Sequence, residues 1–311
     1  MLDRPHKVAI VGAGMTGLTA ADYLTRNGVH VQVFDKGRAR GGRISTRRTA
    51  HGTFDYGAPA IQAEKDEFRA FLASHGASIG ACGALYGTPT MRSIFDTLGD
   101  GLPIRQEVRI ARLSHEPSGW ALRTAGGKSY AFFDDVVVAM PAPQARDLVR
   151  DSDPELADAL NHVRMQPVWS CLVRFEQPLP ELSIGPGGPI MRADRMGDRP
   201  GRTNEETCWV IHMNPSFTEL HLHADPAVIA PFILQTFAEY CDISLPNIVY
   251  LNAHRWRYAF ADQPLGRPFL ASQLPGLYVG GDWTLGRRAE HGFESGVAMA
   301  KSVLSRVAAP V

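Results

Sequence analysis

Glycines 12, 14 and 17 follow the apolar run Val8-Ala9-Ile10-Val11, and an acid, Asp35, closes the next apolar run, Val29 to Phe34. This spacing suits the handling of a pyrophosphate. Gly12 permits a tight turn out of a strand, Gly14 has no Cβ to hold a phosphate away from the backbone, and Gly17 lets a helix pack close to a sheet. Leu18, Ala21 and Leu24 then fall on one helical face. The start of that helix offers unpaired N–H groups and a partial positive charge, and Met15 and Thr16 lie inside it. Asp35 is placed to accept hydrogen bonds from both hydroxyls of an adenosine ribose. An ordinary tight turn would use the same glycines, but it leaves Asp35 without a role. The unit spans about thirty residues, as a dinucleotide-binding βαβ unit does.

Directly after Asp35 and Lys36 comes Gly41-Gly42-Arg43. Paired glycines bring backbone close to a ligand, and arginine is suited to a bidentate phosphate contact. A Rossmann domain for a nicotinamide dinucleotide alone has no need of this second element, which points to a larger cofactor lying across the domain. A solvated basic loop is the plainer alternative. Near the other end, Gly276-Leu277-Tyr278-Val279-Gly280-Gly281-Asp282 reads as a buried strand ending in glycines and an acid. Glu290-His291-Gly292-Phe293 then opens a helix. A second positive helix end is thereby aimed at the same ligand.

The elements that must position these residues suggest an α/β chain. The expected architecture is a Rossmann-like dinucleotide-binding domain (parallel sheet, β-meander, helices), which the resemblance given below makes an FAD-binding domain, with a second, mixed-sheet substrate domain. The expected division is 1–58, 100–142 and 262–311 for the first domain, and 59–99 with 143–261 for the second. Between the ends we expect helices over 64–75, 92–98, 144–150 and 154–162, and a meander over 104–130. Strands are expected over 132–141, 168–175, 207–213 and 247–254, a long irregular excursion over 177–201, and a helix from 225 to about 241. At 311 residues the chain is long enough for two domains, and 44% apolar with 21% charged residues is ordinary for a globular protein. Lys+Arg and Asp+Glu both number 32, so no net field favours nucleic acid or an anionic membrane. No apolar run reaches transmembrane length, and Met1-Leu2-Asp3-Arg4-Pro5-His6-Lys7 does not read as a signal peptide. Cysteines 82, 171, 208 and 241 have no metal-ligand spacing. The expectation is a cytoplasmic protein with reduced thiols and no metal, a monomer or weak dimer whose partner is a small-molecule substrate.

The chain resembles flavoproteins of the amine oxidase superfamily, and within them the bacterial renalase-like proteins. The carrying motifs are the glycine turn with Ala21 and Leu24, Asp35-Lys36, Gly41-Gly42-Arg43 and Ala139-Met140-Pro141-Ala142-Pro143-Gln144. Further along are Pro200-Gly201-Arg202, His254-Arg255-Trp256-x-Tyr258-Ala259 and Gly281-Asp282-Trp283. The resemblance implies non-covalent FAD, with Asp35 at the adenosine ribose, Arg43 by the pyrophosphate and Asp282 at the FMN-side phosphate or the ribityl chain. It also implies N–H groups from the Glu290–Gly292 helix start at the pyrimidine edge of the flavin. The implied activity is oxidation of dihydro isomers of NAD(P)H, with oxygen reoxidising the flavin to give peroxide. Two departures lie on the substrate side: Pro59-Ala60-Ile61-Gln62 replaces a polar-aromatic stretch, and the segment before Tyr86 is short.

Hydride transfer from a dihydropyridine needs stacking and orientation more than a protein base. The candidates for that wall are Trp256, Tyr258, Trp283 and Phe293, with His254, His291 and Glu290 as polar partners. Core packing is the competing role for each aromatic, and His254, at a strand end, equally fits a structural histidine. Arg287 and Arg288 would meet an anionic substrate or form a solvated loop. The rivals are an amine-oxidising flavoenzyme, a flavin-binding protein without turnover, and a nicotinamide-only dehydrogenase. The five lysines (7, 36, 65, 128, 301) offer no natural partner for flavin N5.

Overall fold

In the computed structural model, which describes residues 5–80 and 83–308, the opening apolar run becomes the strand Lys7–Val11, inside a six-stranded sheet. It pairs in parallel with His30–Phe34 on one side and Asp135–Ala139 on the other. Leu277–Gly280 joins beyond Asp135–Ala139, also in parallel, with Leu270–Ala271 antiparallel at that edge. Ile104–Arg105 forms the opposite edge.

Strand alternation sorts the side chains between two cores. Val8, Ile10, Val33 and Val137 face the helices Met15–Arg26 and Ala289–Ala308. Ala9, Val11, Phe34, Val136 and Val138 face Trp120, Leu122 and Leu148. Those residues come from a three-stranded meander (Ile110–Glu116, Gly119–Thr124, Ser129–Phe133) and the helix Ala142–Val149. A sheet covered on both faces explains why its strands read as unbroken apolar runs. The Lys7–Val11 strand has neighbours reached by different routes on its two sides, so its C-terminal end lies at a topological switch point, where ligands bind in open α/β sheets.

The second sheet has four antiparallel strands, in the order Ile190–Arg195, Cys208–Met213, Met165–Phe175, Ile248–Ala261. Trp169, Cys171, Val173 and Phe175 pack under the helix Pro226–Cys241, through Ile229, Ile233 and Phe237. The other face carries Leu172 and Val210, which meet Phe54 of a hairpin formed by Thr46–Thr49 and Gly52–Asp55.

Several elements depart from the sequence expectations. Residues 104–105 belong to the large sheet rather than to the meander, because a two-residue edge strand leaves no periodic signal. The excursion over 177–201 contains the strand Ile190–Arg195 and a 3₁₀ turn, Met196–Asp198, and a helix, Pro215–Leu220, follows the next strand. The strand expected to stop at His254 runs on to Ala261, so His254 is a mid-strand residue. Residues 81 and 82 lie outside the described residues; around them Ala77–Ile79 pairs with Leu85–Gly87. On the last helix Val303 is buried and Val307 is exposed. Among the described residues no helix is long and apolar enough to cross a membrane.

Candidate functional site

A cleft of about 950 Å³ runs from the glycine turn to the strand Ile248–Ala261. That is the upper end of the range for small-molecule sites, roughly 300–1,000 Å³. At its first end, Gly12 leaves the strand with φ of +116°, and a Cβ there would lie 2.2 Å from the Ala139 oxygen. A Cβ on Gly17 would lie 1.9 Å from the Gly12 oxygen, so the helix can approach only because that atom is missing. Gly14 differs: its Cβ would meet nothing nearer than the Gly42 Cα at 3.9 Å. Its hydrogen atom faces the cleft, and the two glycine elements make a cradle whose floor is bare backbone. The helix Met15–Arg26 starts at Gly14 with no side-chain cap and no acid in its first turn, which leaves its N–H groups and positive end available.

Asp35 follows the strand His30–Phe34 and is held on both oxygens. Oδ2 accepts the Ala13 N–H at 2.7 Å and Oδ1 the Gly37 N–H at 2.6 Å. Each carboxylate oxygen keeps a further lone pair for a ligand hydroxyl. Lys36 lines the cleft beside it.

Arg43 and Asp282 join the two ends of the sequence. Arg43 donates to both carboxylate oxygens of Asp282, at 2.9 and 2.5 Å, and to the Ala259 carbonyl at 2.8 Å. This planar fork fixes the Gly41–Gly42 turn against the Gly281–Asp282 turn and against the long strand. The start of the last helix reaches the same place because Gly292 and Gly296 lie against the first helix. Their missing Cβ atoms would sit 3.1 Å from Thr16 Oγ1 and 2.5 Å from the Thr16 oxygen. Two helix N-termini therefore open onto one cleft, which Met15, Thr16 and Gly292 line.

The far wall is aromatic. Along Ile248–Ala261, His254, Trp256 and Tyr258 line the cleft, together with Arg255, Arg257 and Ala259 between and beyond them. Trp256 stacks on Tyr56 at 5.1 Å and 28° and donates its indole N–H to the Tyr56 carbonyl at 2.9 Å. His254 meets Trp256 edge-on at 4.4 Å and Tyr56 at 5.0 Å. Burial, with Arg47 and Arg255 nearby, pulls the His254 imidazole down to about 4, so it is neutral at pH 7. Behind this wall the buried His212 contacts the Tyr56 and Gly57 carbonyls through Nε2, at 3.3 and 3.0 Å. Carbonyls only accept, so Nε2 carries the proton. Burial lowers the pKa of His212 as well.

A family model described as flavin-containing amine oxidoreductase matches residues 70–304, and one described as an NAD(P)-binding Rossmann-like domain matches residues 10–74. The chain belongs to the flavin-containing amine oxidoreductase family. FAD is accordingly the cofactor, and the bare-backbone cradle at Gly14 and Gly42 fits a large dinucleotide. Solved structures with the same fold include a putrescine oxidase variant (TM-score 0.78, 12% identity, 97% of this chain and 100% of that one). A presumed protoporphyrinogen oxidase from Exiguobacterium sp. 255-15 also matches (TM-score 0.72, 15% identity, 97% and 99%). Curated relatives match only over a short stretch. The Escherichia coli glutamate synthase [NADPH] small chain is 45% identical over 60 residues, 19% of this chain and 11% of its own length. A Staphylococcus haemolyticus 4,4'-diapophytoene desaturase is 41% identical over 69 residues, 22% and 14%.

Four residues named from the sequence for the cofactor or catalytic centre are not part of the cleft lining, and their side chains have other partners. Glu290 is buried and its carboxylate accepts the N–H groups of Glu64 and Lys65, at 3.1 and 2.8 Å, so it ties down the start of the helix Asp66–Ser74. His291 packs over Gly286 and accepts the Arg288 N–H, outside the cleft lining. Phe293 packs against Phe68 and Phe71, at 5.2 and 4.7 Å. Trp283 is fully buried in the core, with its indole N–H on the Met140 carbonyl. In each case the helix or turn stands where its local pattern places it, but tertiary packing turns the side chain away. Conversely, Arg257 and the segment 108–111 line the cleft without a sequence signal that singles them out, and Tyr56 lines it from the stretch 51–58, which reads as a short strand and turn returning to the site but marks no side chain within it. A tyrosine in a turn and an arginine in a strand are common on any surface.

Proposed function

We propose that this chain uses FAD to oxidise a small planar heterocycle of the reduced-pyridine type. The turn of Gly12, Gly14 and Gly17 with Met15 and Thr16 would hold the pyrophosphate, and Asp35 with Lys36 the adenosine end. Gly42 and Arg43 would also sit by the pyrophosphate, and Gly281, Asp282 and Gly292 would hold the flavin half. The bound cofactor supplies a two-electron acceptor, which oxygen reoxidises to peroxide. The observation that carries this reading is the wall of His254, Trp256 and Tyr258, joined by Tyr56 and lined up on the cleft. Such a wall orients a flat ring and excludes water from it. The donor loses a hydride and becomes an aromatic cation, so no strong protein base is required. A histidine drawn down to about 4 suits that arrangement. Lys36 is the one lysine on the cleft lining, and it sits beside Asp35 at the end remote from the wall.

The test is an anaerobic absorbance titration of the FAD-loaded protein. Dihydro isomers of NAD(P)H should bleach the flavin, and readmitted oxygen should restore it with formation of peroxide. Bleaching by an amine panel with none by any dihydropyridine would select amine oxidation instead. An oxidised spectrum with both sets would refute turnover on either class.

A further inference from the structure

The charged groups around the aromatic wall are arranged one-sidedly. Three acids line the cleft, Asp35, Asp147 and Asp282. Asp35 takes two backbone N–H groups at the glycine-turn end. Asp282 is clasped by Arg43, and Asp147 lies between Arg146 and Arg150, at 3.0 and 2.8 Å. None of them is a free carboxylate at the wall. The cations there are differently placed. Arg47 lies over the Tyr56 ring at 4.9 Å and hydrogen-bonds the Asn252 amide oxygen at 2.5 Å, with no carboxylate partner among the described residues. Arg255 lies over Trp169 at 5.4 Å and donates to the Leu222 carbonyl. Arg257 lines the cleft between Trp256 and Tyr258, is exposed, and has no hydrogen-bond or ion-pair partner among the described residues. Arg287 and Arg288, the adjacent pair with which the sequence offers to meet an anion, are instead engaged by Asp262 and Glu64.

We propose that the arm of the cleft walled by Tyr56, His254, Trp256 and Tyr258 selects a planar substrate carrying negative charge beside its ring, with Arg257 as the selecting group and Arg47, which lies over Tyr56 outside the cleft lining, as a more distant positive charge. This rests on the flavin reading above and narrows its substrate class. A protonated amine entering this arm meets cations and no uncompensated acid, so it is disfavoured; a carboxylate or phosphate finds the exposed Arg257 guanidinium. The low pKa of His254 is the internal sign of the same field, since Arg47 and Arg255 both oppose a further positive charge there.

Benzoate, benzylammonium and benzyl alcohol are the probes, titrated into the FAD-loaded full chain and followed by the flavin visible spectrum. Benzoate should bind about tenfold more tightly than benzylammonium, with benzyl alcohol between, and its affinity should fall as salt is added. Arg257→Met, at an exposed position, should weaken benzoate about fivefold and leave benzyl alcohol unchanged. Arg47→Met should act in the same direction. Equal or tighter binding of benzylammonium, or a benzoate affinity indifferent to both substitutions, overturns the proposal. If no dihydropyridine bleaches the flavin and yet benzoate is still preferred, the hydride reading fails and charge selection stands. If the protein takes up no flavin, the same titrations are followed by the tryptophan emission that Trp256→Phe removes: a benzoate preference supports charge selection and its absence overturns it.

Discussion

Arg202→Met should be among the most damaging single substitutions outside the cleft. The Arg202 guanidinium is 4% exposed and pairs with Asp55, itself 2% exposed, at 2.6 Å, and with Glu205 at 2.6 Å. It also donates to the carbonyls of Pro89 at 2.7 Å and Thr53 at 2.8 Å. Methionine keeps most of the volume but leaves Asp55 as a buried charge with, among the described residues, only Thr46 Oγ1 and the Met91 N–H as partners of its side chain. Removing one member of a buried ion pair costs about 3–5 kcal/mol, mainly through the charge left behind. At 2–4 °C per kcal/mol for a chain of this general size, the melting temperature should fall on the order of 10 °C. The same argument fixes the sign of a second change: Arg202→Met with Asp55→Asn should be more stable than Arg202→Met alone, because the stranded charge is gone. Thermal unfolding of wild type, both single variants and the double variant tests this. A shift under about 2 °C for Arg202→Met, or no recovery in the double variant, refutes the reasoning. Asp55 immediately precedes Tyr56, so the loss should also loosen the aromatic wall, seen as weaker binding of planar probes.

Two further tests concern the cleft. Gly14→Ala adds a Cβ into open space and should leave the flavin-free protein within about 1 kcal/mol of wild type while lowering flavin retention on gel filtration. Gly17→Ala places its Cβ 1.9 Å from a backbone oxygen and should destabilise the flavin-free fold by about 3 kcal/mol or more. Equal effects of the two on the flavin-free fold would contradict the cradle. His254 has a folded pKa of about 4 against the usual 6.5. The unfolded chain therefore takes up a proton that the folded chain refuses. The corresponding stability is present above pH 6.5 and is lost as pH falls towards 4, below which both states are protonated. His254→Asn should flatten the decline of urea midpoints across that window, leaving the part due to His212, which burial shifts in the same direction. An unchanged pH profile would show that His254 titrates normally.

The parts of the fold legible in the sequence are those where local and global demands coincide. The glycine turn, the run into Asp35 and the late Gly-Asp pair are dense because backbone must approach backbone there, and only one residue type allows it. The family motifs at 41–43 and 254–259 likewise mark strands and turns that end up on the cleft. The edge strand at 104–105, the strand hidden in the Gly- and Pro-rich excursion, and the extension of the last long strand past His254 were not legible. Their stability comes from neighbours distant in the chain.

By itself the sequence determined two glycine turns of the kind that let backbone approach a dinucleotide ligand, since the spacing of glycines and acids expresses steric needs that hold whatever surrounds them. Which side chains face that ligand was decided only in three dimensions. Glu290, His291 and Phe293 stand in a motif at the right place, yet helix packing turns them towards Glu64, Gly286 and Phe68. Tyr56 and Arg47 stand in no motif and are carried to the wall by a hairpin tied to a strand some 200 residues away, Trp256 on Tyr56 and Asn252 under Arg47. A side chain's direction depends on which face of an element the core claims, and that choice is made by residues remote in sequence.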